Sequence, residues 1–304
     1  MSGVISDFFG YPTADCSREA LQAAASMTCP ILGMPCAKTL SRDGTRSGVC
    51  AIRQKAIDAP DVICCPIRLY AGEYAVLKSI TTEVFGADKQ LFAGRIAVDR
   101  AKVLNGAVAV FGHRWGGELR LPKRKGSGSY FVDWVLAKLN KQGELEEFVA
   151  VEVQTIDTTG SYRKARQALL DHRKVVGDTV GLNWENVSKR IIPQLIYKGQ
   201  VLQREDLCRK GLFFVCPTPI FRRVIDRLGG FEKLPTFSAQ PASIHFLAYD
   251  YSDAGQGRAN VGGIRPLGIM KRHDTTVYKV QEAFSSISLP EANVYQKAIV
   301  EALQ

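Results

Sequence analysis

The sequence predicts an α/β protein, of α+β type, in which a mixed β-sheet is flanked by helices. Strand-like and helix-like segments alternate in the order helix, strands, hairpin, helix, strand. The chain has 304 residues, of which 46% are hydrophobic and 23% charged, as is typical of a globular protein with a substantial core. We therefore expect one large domain or two modest ones.

Apolar periodicity and cap residues place the elements along the chain. Ser17 is the expected N-cap of the first helix, and Pro193 should interrupt or bend a later one. The expected helices are 17–25, 73–85, 161–175, 184–197, one from Pro219 and one from about residue 291. The expected strands, besides the hairpin, are 108–111, 118–121, 212–216 and 244–249, and the first of these should be buried.

A cysteine-rich segment comes first, because five of the eight cysteines lie between Cys29 and Cys65. The intervals between Cys29, Cys36, Cys50 and Cys65 hold six, thirteen and fourteen residues, unlike the tight pairs of zinc fingers. The segment lacks a long hydrophobic element, so a clamp of four thiolates around Zn²⁺ or Fe²⁺ would stabilise it. We expect a metal-binding module at residues 1–70. Buried thiols without a metal are the alternative, and Cys64 competes with Cys65 for the fourth position.

The other three cysteines of the chain are expected to be buried thiols without a ligand. They are Cys16, Cys208 and Cys216.

An acidic hairpin is the most informative feature of the chain. With Gln142-Gly143 as a two-residue turn, Asp133 lies directly opposite Glu152, and Gln154 lies on the same face. Opposed carboxylates about 5 Å apart destabilise a sheet unless a cation lies between them. A divalent metal is a common solution, and carboxylate-bound Mg²⁺ is what a metal-dependent nuclease needs. An ordinary hairpin with surface acids is the alternative.

The net charge of +10, from 40 basic and 30 acidic residues, favours a polyanionic partner, although many basic proteins bind none. Basic clusters at residues 123–125 and 163–166 flank the hairpin, where contacts with phosphates would be useful. Solvent-exposed surface is the alternative for each cluster. The histidines share no motif with an acid or a cysteine, and the sequence has no P-loop or dinucleotide fingerprint.

A membrane partner is not expected. No apolar run approaches the roughly 18 residues that cross a bilayer. The N-terminus lacks the basic start and the apolar stretch of a secretory signal. We therefore expect a cytoplasmic protein.

Several short motifs follow one another between about residues 28 and 215. The N-terminal motifs are Thr28-Cys29-Pro30, Cys36-Ala37-Lys38, Gly48-Val49-Cys50 and Cys65-Pro66-Ile67-Arg68-Leu69-Tyr70. The later motifs are Asp133-Trp134-Val135-Leu136, Glu152-Val153-Gln154-Thr155-Ile156-Asp157, Gly160-Ser161-Tyr162 and Gly181-Leu182-Asn183-Trp184 through Pro193-Gln194. In this order they resemble the NotI and EagI family of restriction endonucleases.

The resemblance implies a PD-(D/E)XK nuclease core, at residues 71–304, in a type II restriction endonuclease. It implies a homodimer that cleaves double-stranded DNA at a GC-rich palindrome such as CGGCCG, with Mg²⁺ as cofactor. A cognate DNA methyltransferase would be its functional, not physical, partner. It also implies a Zn²⁺ or Fe²⁺ ion on four cysteines, with Cys65 rather than Cys64 as the fourth.

The resemblance also assigns catalytic residues. Asp133 and Glu152 would ligate Mg²⁺, Gln154 would orient the water or the phosphate, and Glu118 would be a fourth member. The superfamily's usual lysine is Gln154 here, and a neutral amide cannot be a general base. Water activation must therefore come from the metal or from another group.

Residues for DNA binding are assigned by charge and position. The candidates for phosphate contacts are Arg163, Lys164 and Arg166. Arg68 and Tyr162 are candidates for contacts with base edges, with packing as the alternative for both. Two other functions stay open: a structure-specific repair nuclease, and a sequence-specific DNA-binding protein that does not cut.

Overall fold

The computed structural model describes residues 3–40, 44–55, 59–119, 131–252, 263–286 and 291–304. The helices are α1 Arg18–Ala25, α2 Ala71–Phe85, α3 Ile96–Leu104, α4 Arg163–His172, α5 Ile192–Leu202, α6 Thr218–Arg227, α7 Val277–Ser285 and α8 Val294–Ala302. The first strands are β1 Gly3–Phe8, β2 Tyr11–Pro12, β3 Thr28–Cys29, β4 Met34–Pro35, β5 Val49–Gln54, β6 Asp61–Ile63, β7 Leu91–Ala93 and β8 Ala107–Gly112. The others are β9 Trp134–Leu139, β10 Leu145–Val153, β11 Thr158–Thr159, β12 Gly181–Leu182, β13 Leu212–Pro217, β14 Ser243–Tyr251 and β15 Leu267–Thr276.

A seven-stranded mixed sheet forms the centre of the molecule, in the order β15-β14-β13-β10-β9-β8-β7. Strands β10, β13 and β14 run parallel to one another, as do β7 and β8, and the remaining pairs are antiparallel. The predicted fold class, a mixed sheet flanked by helices, is therefore confirmed.

Alternate side chains of the central strands enter two separate cores, as the period of two in a strand requires. On β13, Phe214 packs into the cluster that contains α5, α6 and α7, whereas Phe213 packs into the cluster that contains α2. Both rings are buried, and each contributes roughly 1.5–3 kcal/mol of hydrophobic free energy. Burial on both faces makes the central strands a rigid support for residues at their ends.

The N-terminal part forms a smaller sheet in the order β2-β1-β5-β6. Helix α1 starts at the predicted cap, where Ser17 Oγ accepts a hydrogen bond from the Ala20 N–H at 3.3 Å. The apolar side of the sheet packs with Tyr162 and with Ala165 and Leu169 of α4. The predicted boundary near residue 70 stays a prediction.

Most of the predicted elements are confirmed. The helices at 17–25 and from Pro219, and the strands at 108–111, 212–216 and 244–249, lie where the sequence places them. The helix expected at 161–175 is shorter, because Arg173 adopts the left-handed conformation and ends α4 at His172. A π-helical turn, Val187–Ile191, runs directly into α5, and Pro193 lies in the first turn of α5, so the regular α-helix is interrupted just before Pro193, as predicted.

Several expectations were wrong or incomplete. Glu118 and Leu119 are not in a strand, and the rest of that predicted strand and the cluster at 123–125 lie outside the described residues. Cys16 is exposed rather than buried, whereas Cys208 and Cys216 are buried as expected. Helices α3 and α7 and strand β15 were not predicted, nor were the strands β1 to β7, β11 and β12.

Candidate active site

The hairpin of β9 and β10 carries the acidic pair, and its predicted register is confirmed from Lys138 opposite Glu147 to Trp134 opposite Val151. The predicted two-residue turn was wrong. Residues 140–144 connect the strands, and a bulge between Leu145 and Glu147 restores the expected alignment. Gly143 has φ +84°, a conformation that glycine adopts without strain.

Asp133 lies one residue before β9, beside Glu152. Its Oδ2 accepts a hydrogen bond from the backbone N–H of Val153 at 2.7 Å. The following residue, Trp134, packs edge-on against the rings of Tyr70 and Tyr74, with centroids 5.3 and 5.4 Å away. These contacts fix the chain at the start of β9, so the position of Asp133 is determined by both strands and by α2.

A glycine makes room for the Trp134 ring. A Cβ atom at Gly112, the last residue of β8, would lie 2.1 Å from Trp134 Cε3. Any larger residue would displace the tryptophan, and Asp133 with it.

Glu152 is held by two donors and is 3% exposed. Its Oε1 accepts a hydrogen bond from Gln154 Nε2 at 2.8 Å and forms an ion pair with Lys198 Nζ at 2.5 Å. The other oxygen, Oε2, is buried and has no hydrogen-bond partner among the described residues. An unsatisfied buried carboxylate oxygen costs free energy, and a bound cation would remove that cost.

The carboxyl of Asp133 has a pKa raised to about 7. Burial of the carboxyl group against the surrounding protein is the main cause, although the residue as a whole is exposed, and the charge of Glu152 adds to it. The hydrogen bond from Val153 and the charge of Lys198 act in the opposite direction. The two acids therefore interact strongly, as opposed carboxylates should.

Glu118, the predicted fourth member, lies on the wall of the same cleft as Asp133 and its charge also raises the pKa of Asp133. It is exposed, and its Oε1 lies 3.3 Å from Nδ1 of His113. The structure thus brings Glu118 near the acidic pair without a direct hydrogen bond to either acid.

An open cleft of about 1050 Å³ contains Asp133 in its wall. Its lining comes from five parts of the chain: the cysteine-rich segment, the loop after β8, the start of β9, the end of β10 with the segment after it, and the π-helical turn before α5. Polar and charged side chains along it include Lys38, His113, Gln154, Tyr162, Arg163 and Arg190. Arg190 forms an ion pair with Asp157 at 2.9 Å.

Two of the predicted DNA contacts, which stay predictions, are buried side chains in the structure. Arg68 is fully buried: its Nη2 donates to the Arg265 carbonyl at 2.6 Å, and its Nε lies 3.8 Å from Asp7 Oδ2. Arg166 is 5% exposed, and its Nε donates to the carbonyls of Arg46 and Ser47. Both side chains are buried inside the protein, so neither is exposed in this structure for contact with a base edge or a phosphate.

The remaining three candidates for DNA contacts differ in how far their side chains are exposed. Tyr162 is 8% exposed, and its hydroxyl lies 3.0 Å from Ser47 Oγ, although part of its ring reaches the cleft. Arg163 and Lys164 are exposed at the start of α4, and Arg163 lines the cleft. These two cations remain the predicted phosphate contacts.

Residues 14–260 match a protein-family model described as restriction endonuclease NotI. The chain belongs to the NotI restriction endonuclease family. A comparison with individual curated proteins found no match. The family match identifies the chain as a nuclease of the restriction type, which acts on DNA. Within the described residues, no helix combines the length and the apolar character needed to cross a bilayer.

The four cysteines predicted to bind metal are buried in this NotI-family nuclease and form no disulfide. A hydrogen bond with Cys50 lowers the pKa of the Cys65 thiol to about 6. Burial, and then the nearby charges of Cys65 and Cys36, raise the pKa of Cys29. All four thiols therefore interact.

Cys64, the competitor for the fourth position, has its Sγ 3.6 Å from Lys38 Nζ and also interacts electrostatically with Cys65. In the described parts of the chain, no three or more Cys, His, Asp or Glu side chains are arranged to hold a metal ion. The four-cysteine site and the Mg²⁺ site both stay predictions.

Lys198 is the residue that the sequence did not identify in this NotI-family site. It lies on α5, between the buried residues Leu195 and Leu202, and its side chain is 11% exposed. A lysine on the apolar face of a helix is unusual, since lysine is almost never fully buried unless it is paired. The position of Lys198 on the apolar face of α5 could have indicated from the sequence that it is paired. Nothing in the sequence, however, connects it with Glu152.

Proposed function

We propose that this chain is a type II restriction endonuclease that cleaves both strands of a specific, GC-rich palindromic DNA site, similar to CGGCCG, with Mg²⁺ as cofactor. The observation that carries the proposal is the pairing of Asp133 with Glu152 in a chain of the NotI family. Exposed cations line the cleft beside this pair, where a DNA backbone would be bound.

The donor set fits Mg²⁺, which prefers carboxylate oxygens. Glu152 offers a buried Oε2 with no hydrogen-bond partner in the described structure, and Asp133 is the nearby second carboxylate. These two residues would hold the ion, with Glu118 near it on the cleft wall. When bound, Mg²⁺ supplies a Lewis acid for the phosphodiester and lowers the pKa of a bound water.

The protein's own residues position the reaction. Val153 N–H holds Asp133 Oδ2, and Gln154 Nε2 holds Glu152 Oε1, so both carboxylates keep one oxygen fixed and one available. Arg163 and Lys164 would bind phosphates of the duplex and place the scissile bond against the acidic pair. Gln154 would also contact the attacking water or the scissile phosphate.

A homodimer follows from the proposed reaction. One chain offers one Asp133–Glu152 pair, whereas the two strands of a palindrome are related by a two-fold axis. Two copies with the same symmetry would place one acidic pair on each strand.

The N-terminal cysteines would bind a structural Zn²⁺ or Fe²⁺. A cognate methyltransferase would protect the DNA of the host, with the nuclease in the cytoplasm.

The test is incubation of the purified full chain with unmethylated phage DNA and Mg²⁺. Discrete fragments, with one sequence at their ends, would support restriction cleavage and would identify the recognition site and the stagger. Random degradation would instead support a repair nuclease. Intact DNA in a stable complex would support a DNA-binding protein that does not cut. The matched control is the same reaction with EDTA in place of Mg²⁺.

A further inference from the structure

Lys198 reaches the acidic site from α5, on the other side of the sheet from α2. Its Nζ lies 2.5 Å from Glu152 Oε1, and the two side chains are 11% and 3% exposed. Charges so well shielded from water interact far more strongly than a surface pair. This ion pair therefore helps to fix the position of the Glu152 carboxylate.

The strand that carries Glu152 supplies no cation of its own. Two residues after Glu152 stands Gln154, which donates to Glu152 Oε1 but carries no charge. The same ammonium of Lys198 acts electrostatically on Asp133 as well. The positive charge that balances the two acids thus comes from a helix.

We propose that Lys198 is a positioning residue that acts as the internal counter-ion of the Asp133–Glu152 pair. It holds Glu152 through Oε1, leaves Oε2 available, and balances the acids when no metal is bound. This inference rests on the proposed function of the acidic pair. Its consequence is competition, because the ammonium and a divalent cation are attracted to the same carboxylates.

The competition predicts the direction of two effects of removing the Lys198 ammonium, one on stability and one on cation binding. Removal of the ammonium leaves the buried Glu152, with Asp133 beside it, without this compensation, so the metal-free protein should be less stable. Removal of the same charge also removes the repulsion that a divalent cation meets at this site, so the cation should bind more tightly. A purely structural role of Lys198 in the packing of α5 predicts the first effect but not the second.

The experiment measures Mn²⁺ binding by isothermal titration calorimetry at pH 8, without DNA, on the full chain. We expect Lys198→Met to lower the Kd for Mn²⁺ about tenfold or more. Lys198→Arg, which keeps the charge, should change it less than about threefold. The control is Lys189→Met, since Lys189 is exposed and pairs with Glu185 outside the site. An unchanged or higher Kd in Lys198→Met would overturn the inference.

Thermal unfolding in EDTA and in Mn²⁺ provides the second measurement. The shift in Tm caused by Mn²⁺ should be larger for Lys198→Met than for the wild type. If Lys198→Met does not fold, the same comparison is made with Lys198→Gln. Combining Lys198→Met with Glu152→Gln should restore stability in EDTA, since it removes both charges. No restoration would mean that the two side chains are not coupled.

The failure of this inference is distinguishable from the failure of the proposed function. Asp133→Asn should abolish or greatly weaken Mn²⁺ binding if the acidic pair is the metal site. Wild-type protein that does not respond to Mn²⁺, or a response that survives Asp133→Asn, would refute the metal site and the inference with it. A normal response that Lys198→Met leaves unchanged would refute only the role of Lys198.

Discussion

The backbone N–H of Val153 donates to Oδ2 of Asp133 at 2.7 Å, so the aspartate is fixed by the strand that carries Glu152. The side chain of an aspartate is short, and this contact removes most of its remaining freedom. The distance between the two acids is therefore determined by the register of the hairpin. A substitution at position 133 can remove the charge of the site alone, or it can remove both the charge and this hydrogen bond.

Asp133→Asn separates the two effects. An asparagine carbonyl can still accept from Val153, so the fold and DNA binding should be kept. The loss of one charged metal ligand should reduce the cleavage rate by about 100-fold or more. The measurements are single-turnover cleavage of a duplex with one site and a gel-shift assay of DNA binding.

Asp133→Ala should lose cleavage to the same extent and should be less stable than Asp133→Asn by about 1–2 kcal/mol, because the Val153 N–H loses its acceptor. The matched control is Glu146→Gln, since Glu146 lies on β10, the other strand of the hairpin, and pairs with Lys138 at 3.0 Å, outside the cleft. Cleavage by Asp133→Asn at the wild-type rate would remove Asp133 from the site.

The register of the hairpin could be predicted from the sequence, because the residue types indicate which residues pair across the two strands. Lys138 opposite Glu147 and Trp134 opposite Val151 agree in a single register. The turn could not be predicted, since a longer connection with a bulge gives the same alignment as a two-residue turn. The two solutions differ only in backbone conformation at residues 140–146, which residue types alone do not determine.

Lys198 and Arg68 could not be placed from the sequence for a different reason. Whether a cation is exposed depends on which distant elements pack around it. Lys198 contacts Glu152 only because α5 packs across the sheet, and Arg68 is buried only because β1 and the segment before β15 enclose it. The sequence supplied local pairing; the long-range contacts required the three-dimensional structure.

Arg68→Ala should destabilise the protein by about 3–5 kcal/mol, because it leaves the carboxylate of Asp7 buried with less compensation. Asp7 is fully buried and accepts a hydrogen bond from the hydroxyl of Tyr251 at 2.6 Å. Urea denaturation measures this loss. A stable Arg68→Ala variant that binds DNA poorly would instead support the original expectation of a base contact.

Arg163→Ala is the opposite case, because Arg163 is exposed and lines the cleft. Stability should change by less than about 0.5 kcal/mol. DNA affinity should fall, and the slope of log K against log salt concentration should decrease by about 1. The measurement is a fluorescence-anisotropy titration at several salt concentrations, with EDTA present to prevent cleavage. An unchanged salt dependence would mean that Arg163 contacts no phosphate.

The cysteine site predicts a metal content that can be measured. If four thiolates bind Zn²⁺ or Fe²⁺, the isolated protein should contain about one such ion per chain, and Cys50→Ser should lose it together with much of its stability. The measurement is elemental analysis by mass spectrometry combined with thermal unfolding. Cys16→Ser is the control, since Cys16 is exposed and lies outside the group. Wild-type protein without Zn or Fe would favour buried thiols that bind no metal.

The contact between His245 and Asp274 predicts a dependence of stability on pH. Nδ1 of His245 lies 2.8 Å from Asp274 Oδ1, and Arg272 Nε donates to both oxygens of the same carboxylate. Partial burial acts to raise the pKa of Asp274, but the hydrogen bonds from His245 and Arg272 outweigh it and hold the pKa below its usual value. The ionised form is therefore stabilised by folding.

Asp274→Asn should lower the free energy of unfolding by about 2 kcal/mol at pH 7, since these hydrogen bonds involve charged groups. The pKa is depressed in the folded state, so the stabilisation is fully present above the unfolded value near 4 and is lost as the pH falls below it. The difference between wild type and variant in urea denaturation should thus be present at pH 7 and shrink below pH 4. Asp171→Asn, which changes an exposed acid on α4, should show no such difference. A difference that is as large at pH 3 as at pH 7 would show that the contribution is one of packing, not of charge.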